Sequence, residues 1–253
     1  MISGALLAVM GLVFALAFLF SMLGLGGALL YVPLFKWFGY DYKRVAIPTA
    51  LFLNGLTALS ASSCYLRSKM VDVKGALPMI ATSFLGAPLG AWCTHQVPTD
   101  VLILLFSVGM IVAGSRMWLT SGRAESKALA PFRQRVLTTG LAGWFIGFLA
   151  GLLGIGGGFL FVPVLLALGY PTKKAAATSS FIVIFSSFSG FLGHAAEGHY
   201  HWPLLAGCAV AGVPASQLGA LVMRHKMKAR WIKQIFGVVL IGVAIKLAWP
   251  ILL

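Results

Sequence analysis

The residues best placed to do chemistry in this chain are glycines, and they come twice. Gly24, Gly26, Gly27 and Ala28 follow Leu23, and 130 positions later Gly154, Gly156, Gly157 and Gly158 follow Leu153. Between residues 23–44 and 153–174, ten of 22 positions are identical, where unrelated segments of this composition would share roughly two, so the chain carries an internal duplication. In both copies the glycines interrupt an apolar segment. Unwound backbone at membrane depth must be buried in protein or line a polar cavity. Helices restarting at Ala28 and Phe159 would aim their first N–H groups and positive dipole ends into that cavity, an arrangement that favours anions. A matched pair of such breaks is the sequence mark of a transporter's binding site.

The segments after the breaks supply polar groups. Thr49, Asn54, Thr57 and Ser60 lie in the first copy, and Thr178, Ser179, Ser180, Ser186, Ser187 and Ser189 in the second. Asn54 and Thr57 share a helix face, as do Ser179 and Ser186. Thr49, Asn54, Thr57, Thr178, Ser179, Ser180 and Ser186 join the glycines and Ala28 as the expected substrate-binding set, since hydroxyls and an amide can hydrogen-bond anion oxygens. An intramembrane hydroxyl also bonds its own helix or a neighbour, which is the plainer account of each one alone. Thr82, Ser83 and Gln217, on later helices, have the same alternatives. The small-residue spacings Gly86/Gly90 and Gly143/Gly147/Gly151 read as close helix packing.

The elements that must position these groups are membrane helices. The 253 residues are 60% hydrophobic and 9% charged, too few charges to cover a soluble domain, so a polytopic membrane protein is expected. Ten apolar stretches occur, and two of them, 28–38 and 158–168, are too short to cross about 30 Å of hydrocarbon as a helix. Each follows a glycine break and carries a Val-Pro pair, at Pro33 and Pro163, read as closing it. The first segment has no basic stretch before it and is needed as the partner of the one beginning near Val136, so it is expected to stay in the mature protein and not to act as a signal peptide. Cys64, Cys93 and Cys208 sit in apolar spans without metal or redox spacing and read as small buried hydrophobes.

Loop charge chooses between two topologies. If each broken segment makes one simple crossing, the Lys and Arg of the loops divide 9 to 10 between the two sides; if each makes a hairpin with its short continuation, they divide 4 to 15. The second obeys the positive-inside rule. Each copy then crosses an odd number of times, so the two insert in opposite senses. The expected fold is all-α and polytopic: two inverted repeats, each a Gly-broken hairpin of short helices followed by three transmembrane helices. Residues 1–120 form the first repeat, 121–135 a basic cytoplasmic linker and 136–253 the second repeat, with both termini outside and the basic loops cytoplasmic.

Several functions are disfavoured. The net charge of +14 is spread over short connections, which orients the chain in the bilayer and does not form a nucleic-acid patch. The acids Asp41, Asp72, Asp100, Glu125 and Glu197 lie at segment ends or in loops, so no buried carboxylate offers itself as a proton relay or sodium ligand. There is no phosphate-binding GxxxxGK[ST] loop and no complete GxGxxG, so no nucleotide cofactor is expected. No nucleophile with a neighbouring base can be read within the apolar spans. His194, Glu197, His199 and His201 fall within eight residues, but without a metalloenzyme spacing they read as a wet polar loop and no metal is expected.

Two copies opening with Gly-x-Gly-Gly, followed by Val-Pro, in a chain of this length and hydropathy resemble the sulfite exporter TauE/SafE family of bacterial inner-membrane permeases, over essentially the whole chain. The resemblance implies export, and sometimes uptake, of small sulfur-containing anions such as sulfite or organosulfonates, with the path around residues 24–28 and 154–158. Small anions and the lipid bilayer are the implied partners. The copies differ at Ala28 against Gly158 and at Pro48 against Thr178, so the site need not be symmetric. The expected function is anion export by alternating access, assisted by an interior-negative potential worth about 2.3 kcal/mol per charge per 100 mV. The alternatives are a proton-coupled uptake carrier or exchanger of small organic anions and, from another class, a membrane enzyme or structural subunit.

Overall fold

The computed structural model describes residues 4–94, 96–122, 129–194 and 201–252. Among them there is no strand, and helices satisfy their own backbone groups, as a chain surrounded by lipid requires. The elements are α1 (Gly4–Leu23), α2 (Ala28–Trp37), α3 (Ile47–Arg67), α4 (Val73–Cys93), α5 (Thr99–Leu119), α6 (Phe132–Leu153), α7 (Gly158–Ala167), α8 (Thr172–His194), α9 (Trp202–His225) and α10 (Ala229–Leu252). Six spans among the described residues are long and apolar enough to cross a membrane: α1, α3 with the turn before it, α4, α6, α8 and α9. The chain is a multi-pass membrane protein.

The short helices α2 and α7, ten residues each, reach only about 15 Å. Pro33 and Pro163 do not close them. Each proline lies inside its helix, and the stop comes later, where the Tyr40 and Gly39 N–H groups bond back to Phe35 and Lys36, and those of Tyr170 and Gly169 to Leu165 and Leu166. Gly39 and Gly169 hold the left-handed conformation that this cap needs. The copies diverge just beyond. One π-helical turn, Tyr42–Ala46, precedes α3, with the Asp41 carboxylate accepting from the Arg44 N–H at 2.6 Å. Pro48 accounts for it: its ring crowds the carbonyl four residues back and widens the turn, and α8, with Thr178 at the equivalent position, begins without it.

The helices pack across the copies. α1 lies on α9 and α6 on α4, α5 on α10, and α3 on α8 at the centre, with α3 also on α9 and α8 on α4. α3 and α8 are the most buried of the six spans, which is why they carry the polar residues. The glycine spacings do the packing expected of them. A Cβ on Gly86, Gly90, Gly143, Gly147 or Gly151 would collide with backbone across the α4–α6 contact.

Contacts sort the connections onto two ends of the bundle. At one end the Lys43 ammonium donates to the Thr94 carbonyl at 3.2 Å, Tyr40 packs edge-on to His201, and Lys246 lies 4.0 Å over the Trp37 ring. At the other, the Lys173 ammonium donates to the Arg224 carbonyl at 3.0 Å and the Asp72 N–H to Thr178 Oγ1 at 3.1 Å. The Lys43 and Lys173 bonds join residues 130 positions apart at both donor and acceptor. α1 with α2, and α6 with α7, are therefore hairpins, each short helix turning back toward the end where the long one began.

Candidate functional site

Both breaks use left-handed backbone. Gly24 and Gly26 have φ of 71° and 69°, and Gly154 and Gly156 have 73° and 69°, angles that a Cβ makes costly. The third glycine differs: Gly27 is right-handed at φ −87°, and Gly157 is left-handed at φ 76°. The breaks also touch, since a Cβ on Gly158 would run into the Leu25 backbone.

One side chain stands between them. The Asn54 carboxamide, fully buried on α3, accepts the Ala28 N–H at 3.0 Å through Oδ1 and donates through Nδ2 to Ser187 Oγ at 2.7 Å. A Cβ on Gly26 would overlap the Asn54 carboxamide oxygen, and one on Gly156 its nitrogen and the Ser187 hydroxyl. The first break is thus capped at its N–H end by an amide. At the second, hydroxyls of α8 donate to carbonyls: Ser186 to Gly156 at 2.8 Å and Ser179 to Gly158 at 3.3 Å.

The remaining expected residues fall into two groups. Thr57 is buried beside Asn54, with its hydroxyl bonded to the Leu53 and Asn54 carbonyls of its own helix at 2.9 and 3.2 Å. Thr49 is buried with its hydroxyl unpartnered, and Ser180 is buried on α8. Thr178 stands apart, because its hydroxyl is taken by the Asp72 N–H. Ser60, Ser189, Thr82 and Ser83 all donate to helix carbonyls, to Val213, Phe84, Pro78 and Ile80 respectively, and Gln217 is exposed. The four hydroxyls bond helix carbonyls, as the plainer account had it.

Two residues escaped the sequence reading of the site. Ser187 was one hydroxyl among many until Asn54 was found to bond it. Tyr31 is the other: its ring lies over Gly27, and its hydroxyl, buried beside Thr57 and Cys208, has no hydrogen bond of ordinary geometry. Helical side chains lean toward the N-terminus, so a tyrosine one turn inside a helix that starts at a break places its phenol at that start. That spacing was the available signal.

Charge gathers away from the breaks. Burial alone would raise the Asp72 carboxyl, but the Gly75 N–H, the Tyr170 hydroxyl at 2.8 Å, Lys174 and Arg135 together hold it below its ordinary value. Tyr170 is raised, by burial and by donating to that carboxylate. Arg135 completes the cluster at 3.4 Å. Asp72 thus caps α4 and ties the start of α6 and the α7–α8 connection to it.

The histidine segment departs from its reading as a wet loop. His194 is 4% exposed, because α8 runs on to it and its ring nitrogen meets the Gly151 carbonyl at 3.0 Å near the end of α6. His201 caps α9, accepting the Leu204 N–H. Glu197 and His199 lie outside the described residues, as do Glu125 and the rest of 123–128 in the central connection. Among the described residues, no three His, Cys, Asp or Glu side chains gather as a metal site.

Comparison with known proteins is consistent along the chain. A model of the family described as Sulfite exporter TauE/SafE matches residues 9–247. A probable membrane transporter protein, YunE, of Bacillus subtilis is 30% identical over 259 aligned positions, covering 90% of this chain and 92% of the relative. Another, y4hK of Sinorhizobium fredii, is 24% identical over 93% of this chain and 95% of its own length. The Arabidopsis thaliana sulfite exporter TauE/SafE family protein 1 is 34% identical over 46% of this chain and 26% of its own length. No solved structure matches.

Proposed function

Starting from the family, since the chain belongs to the sulfite exporter TauE/SafE family and is a membrane transporter, we propose that it exports a small sulfur-containing oxyanion, such as sulfite or an organosulfonate, by alternating access. The anion is held between the starts of α2 and α7. The observation that carries this reading is the Asn54 carboxamide, buried between two glycine breaks from different copies, where it accepts from the start of α2 and donates to Ser187 of α8. Each helix start contributes a positive dipole end of about half a charge, and Asn54, Thr57, Ser179, Ser186 and Ser187 supply polar atoms around them. Gly24, Gly26, Gly27, Ala28, Gly154, Gly156, Gly157 and Gly158 let backbone approach where side chains would block it, with Thr49 and Ser180 lining the approach.

The two copies act as inverted repeats, residues 1–120 and 136–253, joined by the basic connection 121–135. Support comes from the repeated ammonium–carbonyl bonds at opposite ends of the bundle and from packing in which each long helix meets a partner from the other copy. The loops attached to the Asp72 end carry 15 of the 19 Lys and Arg residues, so that end faces the cytoplasm of a bacterial inner membrane. Rocking of the copies about the paired breaks opens the site to one side at a time.

The test is radiolabelled sulfite flux through purified protein in liposomes, with the potential set by a potassium gradient and valinomycin. Flux that follows the potential without a pH gradient is expected. Flux that needs a proton gradient and ignores the potential would move the protein to the proton-coupled carriers.

A further inference from the structure

The charge balance at the breaks deepens that reading and rests on it: we infer that the site takes an anion bearing a single negative charge, with Tyr31 as an additional donor to it. Two helix starts meet at the breaks, each worth about half a positive charge, so together they offset about one unit. No full cation adds to them. Among the described residues, the hydrogen bonds, ion pair and ring contacts of the Lys and Arg side chains all lie at the ends of the bundle, and none reaches residues 24–28 or 154–158. The buried Lys233 follows this rule, reaching the Thr120 carbonyl.

The neutral groups present cannot replace a cation. Asn54 and the α8 serines are dipoles, and they are already engaged with backbone and with each other. The cost of taking an ion out of water grows with the square of its charge, so a dianion brings about four times the desolvation penalty of a monoanion. It meets a site that offsets half of its charge.

Tyr31 supplies an observation independent of the helix dipole. Its hydroxyl is completely buried, lacks a hydrogen bond of ordinary geometry and sits against Gly27 at the start of α2. An orphaned buried donor is costly, and an oxyanion oxygen at the α2 start would satisfy it. The equivalent residue of the second copy is Phe161, also fully buried. Phenylalanine therefore fits this place in the fold, and Tyr31→Phe removes the hydroxyl alone.

The experiment compares two tetrahedral anions of similar size that differ in charge, methanesulfonate and sulfate, as radiolabelled solutes in the liposome assay, with sulfite alongside. Methanesulfonate flux at least tenfold above sulfate is expected. Tyr31→Phe should raise the methanesulfonate KM about tenfold, with insertion and thermal unfolding unchanged. Sulfate flux equal to methanesulfonate flux, with sulfite moving as well, would overturn the single-charge inference and leave the permease standing. An unaltered KM in Tyr31→Phe would remove Tyr31 from the site. Absence of flux for all three solutes would overturn the permease reading, and this inference with it.

Discussion

The break at 24–27 and the break at 154–157 share left-handed glycines at two equivalent positions, yet they are closed by opposite chemistry. In the first, a side-chain oxygen caps a helix N–H; in the second, side-chain hydroxyls cap carbonyls. The difference traces to the helices behind the breaks. Asn54 is matched in the second copy by Ile184, Leu56 by Ser186 and Thr57 by Ser187. A duplicated backbone thus carries an unduplicated site, in which α3 furnishes the amide and α8 the hydroxyls that meet it. The lesson is that backbone geometry can be conserved between copies while the polar atoms are divided between them.

The glycines test what the copies share. Gly26→Val and Gly156→Val should each reduce sulfite flux at least a hundredfold, since either side chain meets the Asn54 carboxamide and strains a left-handed backbone. Wild-type flux in one of them would show that only one break serves the substrate.

Asn54 tests what they do not share. Asn54→Asp puts a negative charge at the α2 start and should cut flux tenfold or more, whereas Ile184→Asp, on the same helix position of the other copy, should impair insertion before transport. Asn54→Leu leaves the Ala28 N–H and the Ser187 hydroxyl without their partner, a loss of about 2 kcal/mol in thermal unfolding. Rescue of Asn54→Ile by Ile184→Asn would mean that the amide works from either copy, and the division of labour would fall.

A smaller effect belongs to Asp72. Its carboxyl is held below its ordinary value in the folded protein, so the stabilisation it gives is fully present above about pH 4 and is lost as the pH falls through the lower folded value. Tyr170→Phe removes one of the groups holding it down. Unfolding midpoints should drop by the equivalent of about 1 kcal/mol at neutral pH, with the acid limb moved to higher pH. The smallest effect is expected at Lys43→Met and Lys173→Met. These bonds are equivalent and near the surface, so each should change stability by less than about 0.5 kcal/mol, and a large difference between them would argue that the two ends of the bundle are not equivalent.

Much of this was legible in the chain. The duplication, the short helices and the Gly86/Gly90 packing all follow from spacing, because glycine's effect is local and repeats with the sequence. The hairpin could be chosen from loop charge alone. What stayed hidden depends on contacts between residues far apart: Asn54 with Ser187 is separated by 133 positions, and neither residue announces the other. The π-helical turn was missed because Pro48 could be read as a difference between copies but not as a widened turn. The role of Pro33 and Pro163 was misread: each is the sixth residue of its helix, where it forfeits one bond to the carbonyl four residues back without ending the helix.

The exchange of packing partners between copies has a consequence for biogenesis. α1 leaves the ribosome well before α9, the helix it rests on, which begins 179 positions after Leu23. At about 5–20 residues per second, α1 waits roughly ten to forty seconds for the surface it was made to cover. The first copy therefore enters the bilayer as an unfinished half, its breaks and polar faces open, and depends on lipid or an insertase to hold it until translation supplies the rest.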